Sequence, residues 1–272
     1  MLLLFSAPGR AQQPAKQSPK PVATTNRPIH PTRDPQALSV LNQALSVAGG
    51  LEAIKAVKDY TASGTMPFGT TDQSSQVNLT IMEHRPFQFR MDANAPSGVT
   101  SLSIDHGKAK TMVADGGIFD SSTIPELSPD TLVFPHLLLA GAVVSPFFTV
   151  LYKGVVEVGG HSAHDIRIQI TLPDGIDPKG VIPELTATDV FVDSSTFQLL
   201  ASRDTIHPIK NNQIGYPHEI QYSDYRSVNG VLIPFSITEL FNSQQSRALH
   251  LNSMNFNSGL TDSQFELKQN AR

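Results

Sequence analysis

The residues best placed to do chemistry are few. His161-Ser162-Ala163-His164 is the closest pair among nine scattered histidines. On a helix, that spacing would put two imidazoles on one face, as a metal site needs. Here Gly159-Gly160 comes before and an alternating Ile166 run follows, so the pair lies on a hairpin, where a regular strand points the two rings to opposite faces. Asp174-Gly175-Ile176-Asp177 and Asp115-Gly116-Gly117 suggest calcium loops, but neither offers the roughly six spaced oxygen ligands that such a site requires. Both read as turns. Asp224, Arg226 and Glu239, beside Tyr222 and Tyr225, allow either an acid–base carboxylate pair or a cross-strand ion pair on a solvent face. The ion pair is the simpler reading. No Gly-x-Ser-x-Gly, His-Glu-x-x-His, phosphate loop or Gly-x-Gly-x-x-Gly occurs, and there is no cysteine. The expectation is a non-enzymatic protein with no catalytic residue, no metal and no cofactor.

The elements that must position these residues follow from patterning. Met1-Leu2-Leu3-Leu4-Phe5, then Gly9-Arg10-Ala11, reads as a partial signal peptide over residues 1–11. Residues 12–35 read as a disordered Pro-rich linker, since seven of the 20 prolines fall between Pro8 and Pro35. Five basic residues precede the first acidic one, Asp34, so the remainder carries a net charge of −9. That acidity argues against nucleic acid as a partner. The basic leader is compatible with peripheral contact to an anionic membrane surface.

Leu38, Leu41, Leu45 and Ala48 have helical spacing, with Asp34 as N-cap, Pro35 in the first turn and Gly49-Gly50 as the stop. A second short helix is expected over Leu51 to Val57. The period then changes to two: Val77, Leu79 and Ile81; Phe87, Phe89 and Met91; Ile166, Ile168 and Ile170; Ile233, Phe235 and Ile237. Asn229-Gly230 is a two-residue hairpin signal. Leu249 and Leu251 are out of phase with Met254 and Phe256, which predicts a bulge near Asn252-Ser253. These runs predict a mainly β (α+β) chain of about ten strands in a curved antiparallel sheet. Residues 131–151 break the pattern: Pro135 can start a helix and Pro146 must end it, giving about ten apolar residues, buried nearly all round.

Several segments resemble a known family. They are Gly49-Gly50-Leu51-Glu52-Ala53-Ile54 followed by Tyr60-Thr61-Ala62-Ser63-Gly64, then Val192-Asp193-Ser194-Ser195-Thr196-Phe197, the run Tyr222 to Pro234, and Leu260-Thr261-Asp262-Ser263-Gln264-Phe265. Together they resemble the LolA-like periplasmic lipoprotein-carrier superfamily over a single domain, residues 36–267, with residues 268–272 as a tail. The resemblance implies an incomplete β-barrel with an N-terminal helix and a covering helix. It also implies a periplasmic, cell-envelope protein whose apolar hollow binds or carries the acyl chain of a lipid or lipoprotein. Leu79, Ile81, Phe87, Phe89, Ile168, Ile170, Phe235 and Ile237 would line the hollow. Leu137, Leu138, Val143, Phe147 and Phe148 would cover it. Pro234 is expected near a sheet edge. The alternative is an envelope scaffold or sensor of the same fold with a filled core, able to engage another envelope protein.

Overall fold

A computed structural model describes residues 31–68, 75–120, 132–173, 175–207 and 214–268. Two helices open it, α1 (Pro35–Val47) and α2 (Leu51–Ala56). Six strands follow: β1 (Asp59–Phe68), β2 (Ser75–His84), β3 (Gln88–Ala95), β4 (Gly98–Asp105), β5 (Lys108–Met112) and β6 (Ile118–Asp120). Helix α3 (His136–Val144) leads to β7 (Phe148–Val158) and β8 (His161–Ile170), and α4 (Ile182–Leu185) to β9 (Thr188–Asp193) and β10 (Leu199–Ile206). Then come β11 (Tyr216–Val228), β12 (Val231–Phe241) and β13 (Gln244–Phe256).

All thirteen strands form one antiparallel, curved and unclosed sheet, in the order β6-β5-β4-β3-β2-β1-β13-β12-β11-β10-β9-β8-β7. The expected count of about ten is too low. Strands β5 and β6 are short and lack an apolar alternation, and β9 is buried on both faces, so period two does not reveal them. Every neighbouring pair but one is consecutive in sequence. The exception is β1 with β13, which brings the two ends of the domain together at the sheet centre. Strands β6 and β7 are the two edges, so the chain between them must travel from one edge to the other, and α3 lies on that crossing.

Local chemistry accounts for most boundaries. The Asp34 carboxylate accepts from the Gln36 and Ala37 amides at 2.8 and 3.1 Å and starts α1. Gly49 (φ +113°) and Gly50 (φ +96°) end it. Gly49 has a second reason to be glycine. A Cβ there would lie 2.3 Å from the Gly230 carbonyl oxygen, so the end of α1 seats directly on the β11–β12 turn. Leu232 N donates to Ala48 O across the same contact. That turn is Asn229 and Gly230, both at positive φ, the I′-type geometry that matches strand twist. The Asn252 bulge is present, since Ser63 faces Ser253 while Gly64 faces Leu251.

Pro234 is not on an edge strand, because β12 lies between β11 and β13. Pairing with β13 begins only at Ser236, so the missing N–H sits where that ladder has no rung. At the N-terminus, residues 32–34 are part of the fold and not of a linker. Val150 N donates to Thr32 O and Asp34 N to Val150 O, at 2.8 and 3.0 Å, which covers part of the β7 edge. No described helix is long and apolar enough to cross a membrane.

Candidate functional site

One face of the curved sheet and the three helices α1 to α3 enclose the main core. From the sheet come Leu79 and Ile81 of β2, Phe89 of β3, Ile168 of β8, and Phe235 and Ile237 of β12, each at most 6% exposed. Helix α3 belongs to the same core, contacting α1, α2 and β7, and directs Leu139, Ala140 and Ala142 inward. Leu137, Leu138, Val143 and Phe148 are half-buried and pack against the same cluster. Ten of the thirteen expected apolar residues thus lie in or against one hydrophobic cluster. Ile170, at the end of β8, is half-buried outside the cluster.

Phe87 and Phe147 do not join it, at 64% and 51% exposure. Phe87 has the inward parity of Phe89 but falls in the turn before β3 begins at Gln88. Phe147 follows Pro146, beyond the end of α3. Helix α3 spans the expected residues between its two prolines, but it is not buried all round, since Val144 is exposed.

Two polar features organise this region. The first is Arg33, which residue patterning assigns to the linker. Its guanidinium donates to the Val143, Ser145 and Phe148 carbonyls at 2.6, 3.0 and 3.3 Å. It satisfies acceptors at the α3 C-terminus and sets a cation against the negative end of the helix. Arg33→Ala is expected to cost about 2 kcal/mol and to speed amide exchange over residues 141–148. Exchange rates there matching the wild type would rule out the clamp. The second feature is His136 in the first turn of α3. It is the one non-aliphatic side chain of that helix, a signal visible in the sequence. It is buried against Phe134 and Tyr225, with ring centroids 6.1 and 6.0 Å away. Burial lowers its pKa to about 4, so the ring is neutral at pH 7.

Tyr225 reaches the core through a local kink in β11. Residues 222 and 225 of a regular strand would face opposite ways. Asp224 takes φ +54°, and the pairing skips Asp224 and Phe235 without a change of register; Tyr222 packs in the core and Tyr225 also turns in, donating to Leu199 O at 2.7 Å. Asp224 is left outside and pairs with Arg226 at 2.7 Å. Glu239 is separate from both. The solvent-face reading fails for it, because it continues the inward phase of Ile233, Phe235 and Ile237 and is fully buried. It accepts from His218 Nε2 at 3.1 Å and from the Arg247 guanidinium. His218 Nδ1 bonds Asp204 at 2.7 Å. Burial alone would favour a neutral His218, but the hydrogen bonds to Asp204 and Glu239 outweigh it and raise its pKa to about 9. Two carboxylates and two cations thus balance at the inner edge of the core.

The remaining candidates are structural. His161 bonds Asp193, while His164 bonds Tyr152 and stacks on Phe197, so the pair shares no ligand position. Asp115 accepts from Gly117 N within its own turn. Asp177 accepts from Val181 N and Ile182 N and holds the start of α4; its proposed calcium partner Asp174 lies outside the described residues. Among the described residues, no group of three or more His, Asp or Glu is arranged to hold a metal.

An unclosed antiparallel sheet of this order, covered on its apolar face by an N-terminal helix and a crossing helix, is the LolA-like fold. No family profile and no curated protein matches the sequence. Solved structures do. An outer membrane lipoprotein-sorting protein domain from Vibrio parahaemolyticus superposes with a TM-score of 0.53 at 11% identity, over 85% of this chain and 96% of that one. A DUF1329 family protein from Desulfovibrio piger gives 0.55 at 11% identity, over 87% and 100%. A LolA superfamily protein from Nitrosomonas europaea gives 0.51 at 9% identity, over 85% and 97%. At these identities the likeness is one of fold.

Proposed function

We propose that this chain is a lipid-binding protein of the bacterial cell envelope that takes an acyl chain between α3 and the curved sheet. One observation carries the reading. The crossing helix is apolar on both its inner and outer sides and lies on an apolar sheet face, held at its end by side-chain bonds from Arg33. Such a cover can be exchanged for another apolar body at modest cost. Lifting α3 would return Leu139 and parts of Leu137, Leu138 and Val143 to water, on the order of 5 kcal/mol. A long acyl chain entering the gap gains on the order of 10 kcal/mol before ordering costs. Before ordering costs, the gain exceeds the cost of lifting the helix. The LolA-like fold is consistent with this use, with an exported location and with a partner that delivers or receives the lipid.

A second reading has its own support. The sheet residues beneath α3 are closed off from solvent, as expected of a scaffold or sensor with a filled core. Titration with a fluorescent fatty acid, together with native mass spectrometry of protein purified without detergent, separates the two. Saturable uptake at micromolar concentration, one chain per protein, is expected. A ligand-free species that takes up no probe would leave the scaffold reading standing.

A further inference from the structure

We propose that His136 Nδ1 is the polar contact of the acyl site between α3 and the sheet and meets an ester, amide or hydroxyl group of the bound acyl lipid. This rests on the proposed acyl-binding function and adds the class of ligand it prefers.

His136 is 3% exposed, and its Nδ1 is buried with no hydrogen-bond partner. Buried polar groups are almost always satisfied. His218 uses both ring nitrogens, and the Tyr225 hydroxyl donates to Leu199 O. His136 Nδ1 is one of a few such buried atoms among the described residues, with Ser101 Oγ, Asp165 Oδ1 and His207 Nδ1, and of these four it is the one on the crossing helix. Packing does not require it, because the next three positions, Leu137, Leu138 and Leu139, show that an aliphatic side chain suits this helix. A leucine in its place would remove the cost of an unpaired buried nitrogen.

Position supports a ligand role. His136 is three residues before Leu139, so both project toward the sheet. Its ring lies against Phe134, just before α3, and Tyr225, from β11 on the facing sheet. An acyl chain sliding between helix and sheet would pass this ring. A neutral imidazole carries one N–H and one lone pair, and either can be turned to Nδ1. It can thus donate to an ester carbonyl or accept from an amide or hydroxyl. A free hydrocarbon offers it nothing.

The test uses the full chain and a dodecylpyrene probe, displaced by hexadecane or by methyl hexadecanoate, each delivered from cyclodextrin. Wild type is expected to prefer the ester over hexadecane by about tenfold, the worth of one hydrogen bond. His136→Phe should bring that ratio near one, each ratio being taken within one protein. On wild type alone, the ¹⁵N resonance of His136 Nδ1 should shift on adding the ester and stay fixed on adding hexadecane, which keeps the test valid if the variant misfolds. Equal ester-to-hydrocarbon ratios in both proteins, or an unmoved resonance, would overturn the His136 assignment. If the probe itself does not bind, the acyl reading fails and takes this inference with it.

Discussion

Replacing His218 with alanine is expected to remove about 3–5 kcal/mol of stability, the usual cost of deleting one partner from a buried ion pair. His218 and Glu239 are both nearly inaccessible, at 3% and 0% exposure. The truncation leaves Glu239 with Arg247 alone and Asp204 without its ring partner. The pH dependence should identify the cause. His218 has a folded pKa of about 9, above the ordinary histidine value of 6.5. A group raised on folding binds its proton more tightly in the native state. Its contribution is therefore complete below about pH 6.5 and is lost as pH rises through 9. The stability difference between wild type and His218→Ala should narrow between pH 7 and 10. Urea denaturation across that range measures it. A constant difference, or one below 1 kcal/mol at pH 7, would show that the network is not a charge-paired unit.

Phe134→Ala is the second large effect, about 3–5 kcal/mol. Phe134 is fully buried where the crossing segment meets the sheet. It stacks on Phe256 of β13 at 5.7 Å, and meets Tyr60 of β1 and His136 of α3 edge-on at 6.5 and 6.1 Å. One ring thus joins the sheet centre, where the two chain ends pair, to the start of the cover. Little nearby can collapse into the vacated space, because Tyr60 and Phe256 are fixed by the β1–β13 ladder. For a domain of this size, the loss corresponds to a fall in Tm of about 10 °C. Phe134→Leu, which conserves most of the volume, should cost less than about 1.5 kcal/mol. Thermal unfolding followed by circular dichroism distinguishes them. Equal Tm values for the two variants would mean the ring is not the joint described.

Much of this architecture was legible in the chain itself. Two periods, 3.6 before Gly49 and two after Lys58, together with Asp34, Gly49-Gly50 and Asn229-Gly230, specify α1, the strands that alternate, and the hairpin joining β11 to β12. These signals are local: each acts through backbone geometry or capping within a few residues. The phase slip around Asn252 located a bulge for the same reason. Pro135 and Pro146 bounded α3 because proline ends a helix whatever surrounds it.

What patterning missed depended on distant partners. Arg33 looked like linker because its acceptors are carbonyls more than 100 residues away. Glu239 shared the parity of three apolar neighbours, yet as a carboxylate it read as solvent-facing. Only the folded sheet brings His218 and Arg247 beside it, and without them its burial would be prohibitive. Phe87 had the right parity and the wrong place, one residue outside its strand. The sequence alone determined which faces of the strands and helices are apolar, because that is set by side-chain order. The tertiary structure decided which of those faces meet, where the crossing helix rests and which buried polar atoms find partners, because those contacts join residues far apart in the chain.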